Sequence, residues 1–391
     1  MTKRLFDLDS HQKEFEATVL ACEAEEDGYS ILLSETAFFP EGGGQGADTG
    51  TLGGARVLDV QEAGGDIFHR TDAPLPVGEK VLGRLNWEQR FRRMQNHSGE
   101  HILSGLVCRK YGYRNVGFHL GDGDVTVDFD GELDRPALEE LETEANRLIV
   151  SDLPVRAWYP EPEELASLDY RSKLALTENV RIVQIGDIDQ CACCAPHVST
   201  TGEIGSLRIL DFMRHRGGIR LHMLCGLDAL EDARARYYAT QTISGLLSVP
   251  QLETPEAVRR TLRELEETTF ALTDARRKLL AVKAASLPFT EGNLCLFEPE
   301  LDMTSLRELV NAGMERAAGI CAAFTGSEGD WRFIVGSRNH DMRILSGALR
   351  QALNARGGGK PEMIQGSCPA SRAEIEEFFS ALTLPLQNSG N

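Results

Sequence analysis

The chain has 391 residues, with 41 Lys and Arg against 60 Asp and Glu, for a formal net charge of −19. That length exceeds one typical domain, and the acidic balance excludes a protein that coats nucleic acid non-specifically, because phosphate binding needs clustered Lys and Arg. No run of about twenty apolar residues occurs, so no membrane span is expected. Met1 to Glu16 lacks the apolar run of a secretory signal, and nine scattered cysteines fit reduced thiols in the cytoplasm better than a disulfide framework.

In chain order, Ala17–Leu20 and Tyr29–Leu33 bracket a Glu-Asp-Gly turn, and Gly50–Val60 and Val81–Leu85 read as further strands. A small β-barrel over residues 1–85 is the economical expectation. Asn86 can cap a helix, with Gln89 three residues on in a capping-box-like arrangement. Phe91, Met94, Ile102 and Leu106 give that helix an apolar stripe. Val125–Phe129 alternates like a strand, and Pro136–Ile149 reads as an amphipathic helix with Pro near its first turn. Residues 154–225 return to strands, ending in a hairpin of Leu207–Asp211 and Ile219–Leu224 across Gly217-Gly218. Together, 86–227 form a second domain.

Residues 228–287 form two helical stretches around Pro250. In the second, Val258, Leu262, Leu265, Leu272 and Leu279 follow a heptad-like stripe interrupted by Thr269 and Arg276. A helical hairpin packed on itself is expected here in preference to an intermolecular coiled coil. Residues 288–391 alternate strands and helices and form a small α/β domain.

Two segments carry metal-ligand spacing: His97-Ser98-Gly99-Glu100-His101, an H-x3-H in mid-helix, and Cys193-Cys194-Ala195-Pro196-His197, a C-x3-H. An i, i+4 pair on a helix shares one face, and three imidazoles with one thiolate suit tetrahedral zinc. Only folding can bring the two pairs together. Cys191 and Cys194 compete with Cys193 for the sulfur position. The order of residues differs from H-E-x-x-H, and Glu100 and Asp128 are read as surface groups in preference to bases. Upstream lies Phe38-Phe39-Pro40-Glu41-Gly42-Gly43-Gly44-Gln45. Its glycines let the backbone approach a ligand, but no Lys-Ser/Thr follows to make a phosphate loop. Thr36 precedes this loop with a hydroxyl. Two basic clusters stand out: Arg90, Arg92 and Arg93, and the stretch Trp331–Gly366, which holds six basic residues against two acidic ones.

These motifs resemble the editing half of alanyl-tRNA synthetases and their free-standing relatives of the long type. The match runs through the loop from Phe38 to Gln45, the segment His97–Leu103, and Cys193–Val198 continuing to Thr201-Gly202-Glu203-Ile204-Gly205. It ends at Arg356-Gly357-Gly358-Gly359-Lys360-Pro361-Glu362-Met363-Ile364-Gln365-Gly366, which looks like the Gly-rich motif of the appended C-terminal domain. The family usually has glycines where this chain has Cys194 and Ala195. The resemblance implies an α+β protein: an N-terminal β-barrel (1–85), a zinc-containing α/β editing domain (86–227), a helical hairpin linker (228–287) and a C-terminal α/β domain (288–391). It implies a cytoplasmic zinc-dependent aminoacyl-tRNA deacylase that hydrolyses mischarged tRNA(Ala), carrying serine or glycine. One Zn2+ per chain would be held by His97, His101, Cys193 and His197. Gln45 and Thr36 would act at the ester and at the serine hydroxyl. Gly42, Gly43, Gly44, Arg92, Arg93, Arg356, Gly357, Gly358, Gly359 and Lys360 would contact substrate, and a homodimer would form through the linker or the C-terminal domain. The competing expectations are a non-catalytic tRNA-binding relative and a deacylase of another aminoacyl-tRNA.

Overall fold

The computed structural model describes residues 1–121, 123, 125–172 and 179–383, so parts of the expected 154–225 strand region and of the C-terminal domain lie outside the described residues. The fold is mixed α+β and divides into two compact units, 1–246 and 247–391.

In the first unit, Glu14–Glu25, Gly28–Leu33, Asp66–Thr71, Ala55–Ala63, Gly50–Leu52 and Lys80–Leu85 pair in that order and close into a six-stranded barrel. The reason is the period-2 pattern, which sends Phe15, Ala17 and Val19, and Ile31 and Leu33, inward to one apolar core, while a register shift between Val57 and Asp59 turns both Val57 and Val60 to it. The strand Asp66–Thr71, which is not among the expected strands, supplies Ile67 and His69 to that interior.

Asn86 caps the helix Trp87–Tyr111, its side chain accepting from the Gln89 backbone N–H. The capping box is half-made, because the Gln89 side chain instead accepts from Thr49 Oγ1 at 2.7 Å. Every residue from Met94 to Val107 is buried, so this helix is the axis of the unit and not a surface element. It packs on an antiparallel sheet ordered Leu207–His215, Gly218–Cys225, Val125–Phe129, Asn115–Leu120. The helix Arg135–Val150, capped by Asp134, buries Leu138, Leu141, Ala145 and Ile149 along one stripe. A small antiparallel sheet of Val155–Trp158, Ile182–Ile185 and Asp189–Ala192 completes the unit's core elements.

In the second unit, the strands Leu294–Phe297, Cys321–Ser327, Asp330–Gly336, Met363–Cys368 and Arg356–Lys360 form one sheet in that order, with helices Met303–Met314, Met342–Leu353 and Arg372–Ala381. The Gly-rich motif is thus the edge strand of this sheet. The long helix Thr254–Ser286 belongs to this unit, and its Leu262, Leu265, Leu272 and Leu279 are exposed. No helix among the described residues is long and apolar enough to cross a membrane.

Candidate metal centre

The helix Trp87–Tyr111 carries His97 and His101 on one face. Gly105, one turn on, allows the backbone of Ile188 and Asp189 to press against the helix: a Cβ there would lie 2.8 Å from the Ile188 carbonyl oxygen. The strand Asp189–Ala192 then delivers Cys193. The C-x3-H pair lies outside any helix. It is an irregular segment whose shape comes from Arg181. The Arg181 guanidinium donates to the carbonyls of Cys193 (3.1 Å) and Ala195 (2.8 Å), and its own carbonyl accepts from the Cys193 N–H (3.0 Å). Ser10 Oγ donates to the His197 carbonyl at 2.7 Å, and Ala195 and Cys193 pack against the barrel core.

So folded, one ligand atom from each of His97, His101, Cys193 and His197 lies within 4.8 Å of the other three. Cys193 Sγ is 3.5 Å from His97 Nε2 and 3.4 Å from His197 Nε2. Tetrahedral zinc with its usual bond lengths to sulfur and nitrogen requires an S···N edge of about 3.5 Å, so the donor set fits that ion. Each imidazole is also held at Nδ1 by a different partner: His97 by Gln45 Oε1 (3.1 Å), His101 by Asp189 Oδ2 (2.9 Å) and His197 by Ser98 Oγ (2.9 Å). These contacts turn the three Nε2 atoms inward, the arrangement metal-bound histidines use.

Arg171 donates to both oxygens of Asp189, at 2.6 and 2.8 Å. Burial alone would raise the Asp189 carboxyl, but His101 and Arg171 bring it down to about 2. Burial would likewise raise the Cys193 thiol, yet His97, His197 and His101 hold it well below the usual range, as a thiolate ligand needs. Burial lowers His197 to about 3, keeping its imidazole neutral. The rival sulfurs differ. Burial pushes Cys191 up and Cys194 up to about 11, and neither joins the four-donor cluster, although Cys191 sits with His101 and Asp189.

The Gly42–Gln45 loop closes as a tight turn in which Gly42 and Gln45 exchange backbone hydrogen bonds of 3.0 Å. Gly43 and Gly44 both have positive φ, and a Cβ on Gly44 would meet the Phe118 carbonyl oxygen at 2.7 Å. The turn sets the buried Gln45 side chain on His97. Its Oε1 accepts from His97 Nδ1, and its Nε2 has no hydrogen-bond partner among the described residues. Phe118 packs 4.9 Å from the His97 ring.

Thr36 lies in the barrel interior, fully buried, with its hydroxyl 2.8 Å from His69 Nε2. The basic cluster before the first histidine does not form an open face. Arg90 is buried in an ion pair with Asp48 and donates to the carbonyls of Ser10 and Ala37. Arg92 is bound by Glu88, Asp228 and Glu231. Arg93 donates to the carbonyls of Gly46 (3.0 Å) and Ala47 (2.6 Å), bracing the Gly-rich loop. Glu100, expected at the surface, is buried and accepts from Ser104 Oγ and Asn115 Nδ2. Asp128 pairs with Arg220 at 2.6 Å. Arg356–Lys360 is exposed throughout. Sequence reasoning missed Asp189, Ser98, Arg171, Arg181 and His69. The placement of Ser98 inside H-x3-H and of Asp189 four residues before Cys193 were the available signals.

A family model described as the threonyl and alanyl tRNA synthetase second additional domain matches residues 180–221, the stretch that holds Cys193 and His197. The chain is 28% identical to the alanyl-tRNA editing protein AlaX-L of Pyrococcus horikoshii, across 96% of each chain. It is 26% identical to the alanyl-tRNA editing protein Aarsd1 of Danio rerio, across 95% of each. It is also 30% identical to the alanine–tRNA ligase of Halorubrum lacusprofundi, over 95% of this chain but only 42% of that enzyme, so it spans less than half of the synthetase. The chain is therefore similar, over nearly its whole length, to two free-standing proteins named for alanyl-tRNA editing. Through them it is related to the editing and C-terminal parts of alanyl-tRNA synthetase.

Proposed function

We propose that this chain is a zinc-dependent trans-editing hydrolase that cleaves the ester of mischarged tRNA(Ala), with the seryl ester as its main substrate and the glycyl ester as a second. The observation that carries this reading is the convergence of three Nε2 atoms and one sulfur, beside a buried amide nitrogen with no partner among the described residues. Likeness across the full length of two proteins named for alanyl-tRNA editing supports it.

His97, His101, Cys193 and His197 would hold the ion. When bound, zinc supplies a Lewis-acid centre that polarises an ester carbonyl or a water. Gln45 donates its unpartnered N–H groups to the ester carbonyl oxygen, where negative charge develops as water adds. Gly42 and Gly43 let the terminal ribose approach the backbone, while Gly44 lets Phe118 close against the turn. Thr36 bonds the serine hydroxyl, which an alanyl ester lacks. Arg356 and Lys360, flanking Gly357, Gly358 and Gly359 on an exposed edge strand, contact tRNA phosphates. Arg92 is held by three carboxylates and Arg93 by the loop carbonyls, and from there they shape the pocket for the acceptor end. The cytoplasm is where such a substrate is met. A homodimer through the exposed leucines of the Thr254–Ser286 helix is a further element of the reading.

One observation favours a second reading. Four protein donors fill a tetrahedral shell, as in structural zinc sites, so a tRNA-binding module with a structural metal has the same donor set. Metal analysis together with deacylation of seryl-, glycyl- and threonyl-tRNA panels tests both. One zinc per chain with rapid seryl-tRNA(Ala) hydrolysis is the expected result. Zinc-replete protein that binds tRNA without turnover would select the second reading, and preferential threonyl hydrolysis would change the substrate.

A further inference from the structure

The barrel interior holds a histidine outside the metal cluster. His69, on the strand Asp66–Thr71, has no exposed surface. Its Nδ1 lies 3.2 Å from the Ile31 carbonyl oxygen and its Nε2 lies 2.8 Å from Thr36 Oγ1. The Phe38 N–H reaches the same Oγ1 at 3.1 Å, and the Phe38 ring packs edge-on at 5.6 Å from the imidazole. The segment Ala37–Phe39 belongs to the same apolar cluster as Ala195, with Cys193 packed against it.

The direction of each bond follows from the inventory of donors. A carbonyl oxygen only accepts, so Nδ1 carries the proton. Burial lowers the His69 pKa to about 4, so the ring is neutral and Nε2 is bare. A bare nitrogen only accepts, so the Thr36 hydroxyl donates its single proton to His69. Of the two lone pairs on Oγ1, Phe38 N–H occupies one. Thr36 is left with one lone pair and no proton to offer.

We propose that His69 is a positioning residue that makes Thr36 a pure hydrogen-bond acceptor, so that the site favours a seryl over an alanyl ester. This rests on the reading of Thr36 given under Proposed function. Serine donates to the free lone pair. Alanine presents a methyl there and leaves the buried oxygen unpartnered, which is the stronger half of the discrimination, because an unmade bond in a desolvated site is costly. A threonine free to rotate its hydroxyl would offer a donor as often as an acceptor and would separate the two substrates less well.

The test compares hydrolysis of seryl and alanyl esters on the same tRNA, the alanyl reaction being followed at high enzyme. The ratio of the two rates is independent of how much protein is active. His69→Phe removes the acceptor and is expected to reduce the serine-to-alanine ratio roughly tenfold or more. His69→Gln, which can place an amide oxygen near the former Nε2, is expected to restore most of it. Thr36→Val should lose the ratio, and adding His69→Phe to it should change nothing further. In the wild-type protein, 15N shifts should report the Nδ1–H tautomer of His69. Equal losses on both esters in His69→Phe, or an Nε2–H tautomer, would overturn the proposal while leaving Thr36 in place. An unchanged ratio in Thr36→Val would overturn the role of Thr36 and this inference together. Wild-type protein that hydrolyses neither ester would instead overturn the functional reading on which both depend.

Discussion

Asp189 holds His101 by an Nδ1 hydrogen bond of 2.9 Å, and both oxygens of the same carboxylate accept from Arg171. The pair is almost fully buried, so the imidazole cannot turn without breaking a charge-assisted bond in a dry environment. Asp189→Ala is therefore expected to weaken metal affinity about 10- to 100-fold, the range seen when the outer partner of a ligating histidine is removed. Chelator competition on the purified protein measures this. Affinity equal to that of the wild type would mean that packing alone orients His101.

Three cysteines crowd one stretch, and their environments separate them. Cys193 meets three imidazoles and is held low, whereas burial raises Cys191 and Cys194. Cys193→Ala is expected to lose the bound zinc, and Cys191→Ala and Cys194→Ala each to keep about one ion per chain, because a thiolate is the ligand form. Elemental analysis of the three variants decides it. Loss of metal in Cys191→Ala alone would move the sulfur ligand to the smaller cluster with His101 and Asp189.

Much of this site is legible in the sequence alone. The H-x3-H pair reads directly because a helix repeats its face every 3.6 residues, and Val125–Phe129 and Met342–Leu353 show their periods without interference. The barrel emerges from alternation in Glu14–Glu25, whose inward residues are apolar. Other features depend on contacts between distant residues, which no local pattern encodes. Arg90 looks like a surface cation beside Arg92 and Arg93 until Asp48, 42 positions away, takes it into the core. The shape of the C-x3-H segment comes from Arg181, which binds the carbonyls of Cys193 and Ala195 from outside the motif. The Gly-rich motif shows no strand pattern, because glycine disfavours strands, yet Gly357 and Gly359 lie so close to the neighbouring strand that a Cβ would meet its carbonyl oxygens at 2.2 and 2.3 Å.

Gln45 does two things with one amide, and substitution can separate them. Its oxygen accepts from His97 Nδ1, and its nitrogen is buried without a partner. Gln45→Glu keeps an acceptor for His97 but replaces the donor with an oxygen that repels a developing oxyanion. Zinc content should persist and kcat should fall roughly 100-fold, the scale for losing one preorganised donor, with KM little changed. Single-turnover deacylation at saturating enzyme measures the chemical step. A rise in KM with unchanged kcat would show that Gln45 binds the ground state only.

His69 also predicts how stability depends on pH. Its folded pKa of about 4 lies below the ordinary value of 6.5, because burial opposes the charged ring. Between those two values the unfolded chain binds a proton that the folded chain refuses, so unfolding gains as pH falls through this window and stability rises with pH across it. At about 1.4 kcal/mol per unit of pKa difference, the contribution approaches about 3 kcal/mol below the window and about 2 kcal/mol near pH 5. Urea unfolding of the wild type at about pH 7.5 and about pH 5 should therefore show a loss larger, by about 2 kcal/mol, than the loss in His69→Gln, which has no proton to bind. Other groups titrate in the same window, so the quantity that matters is the difference between the two proteins and not the slope of either. Parallel losses in both would place the His69 ring in contact with water, with an ordinary pKa, and the dry barrel interior around Thr36 would not exist in solution.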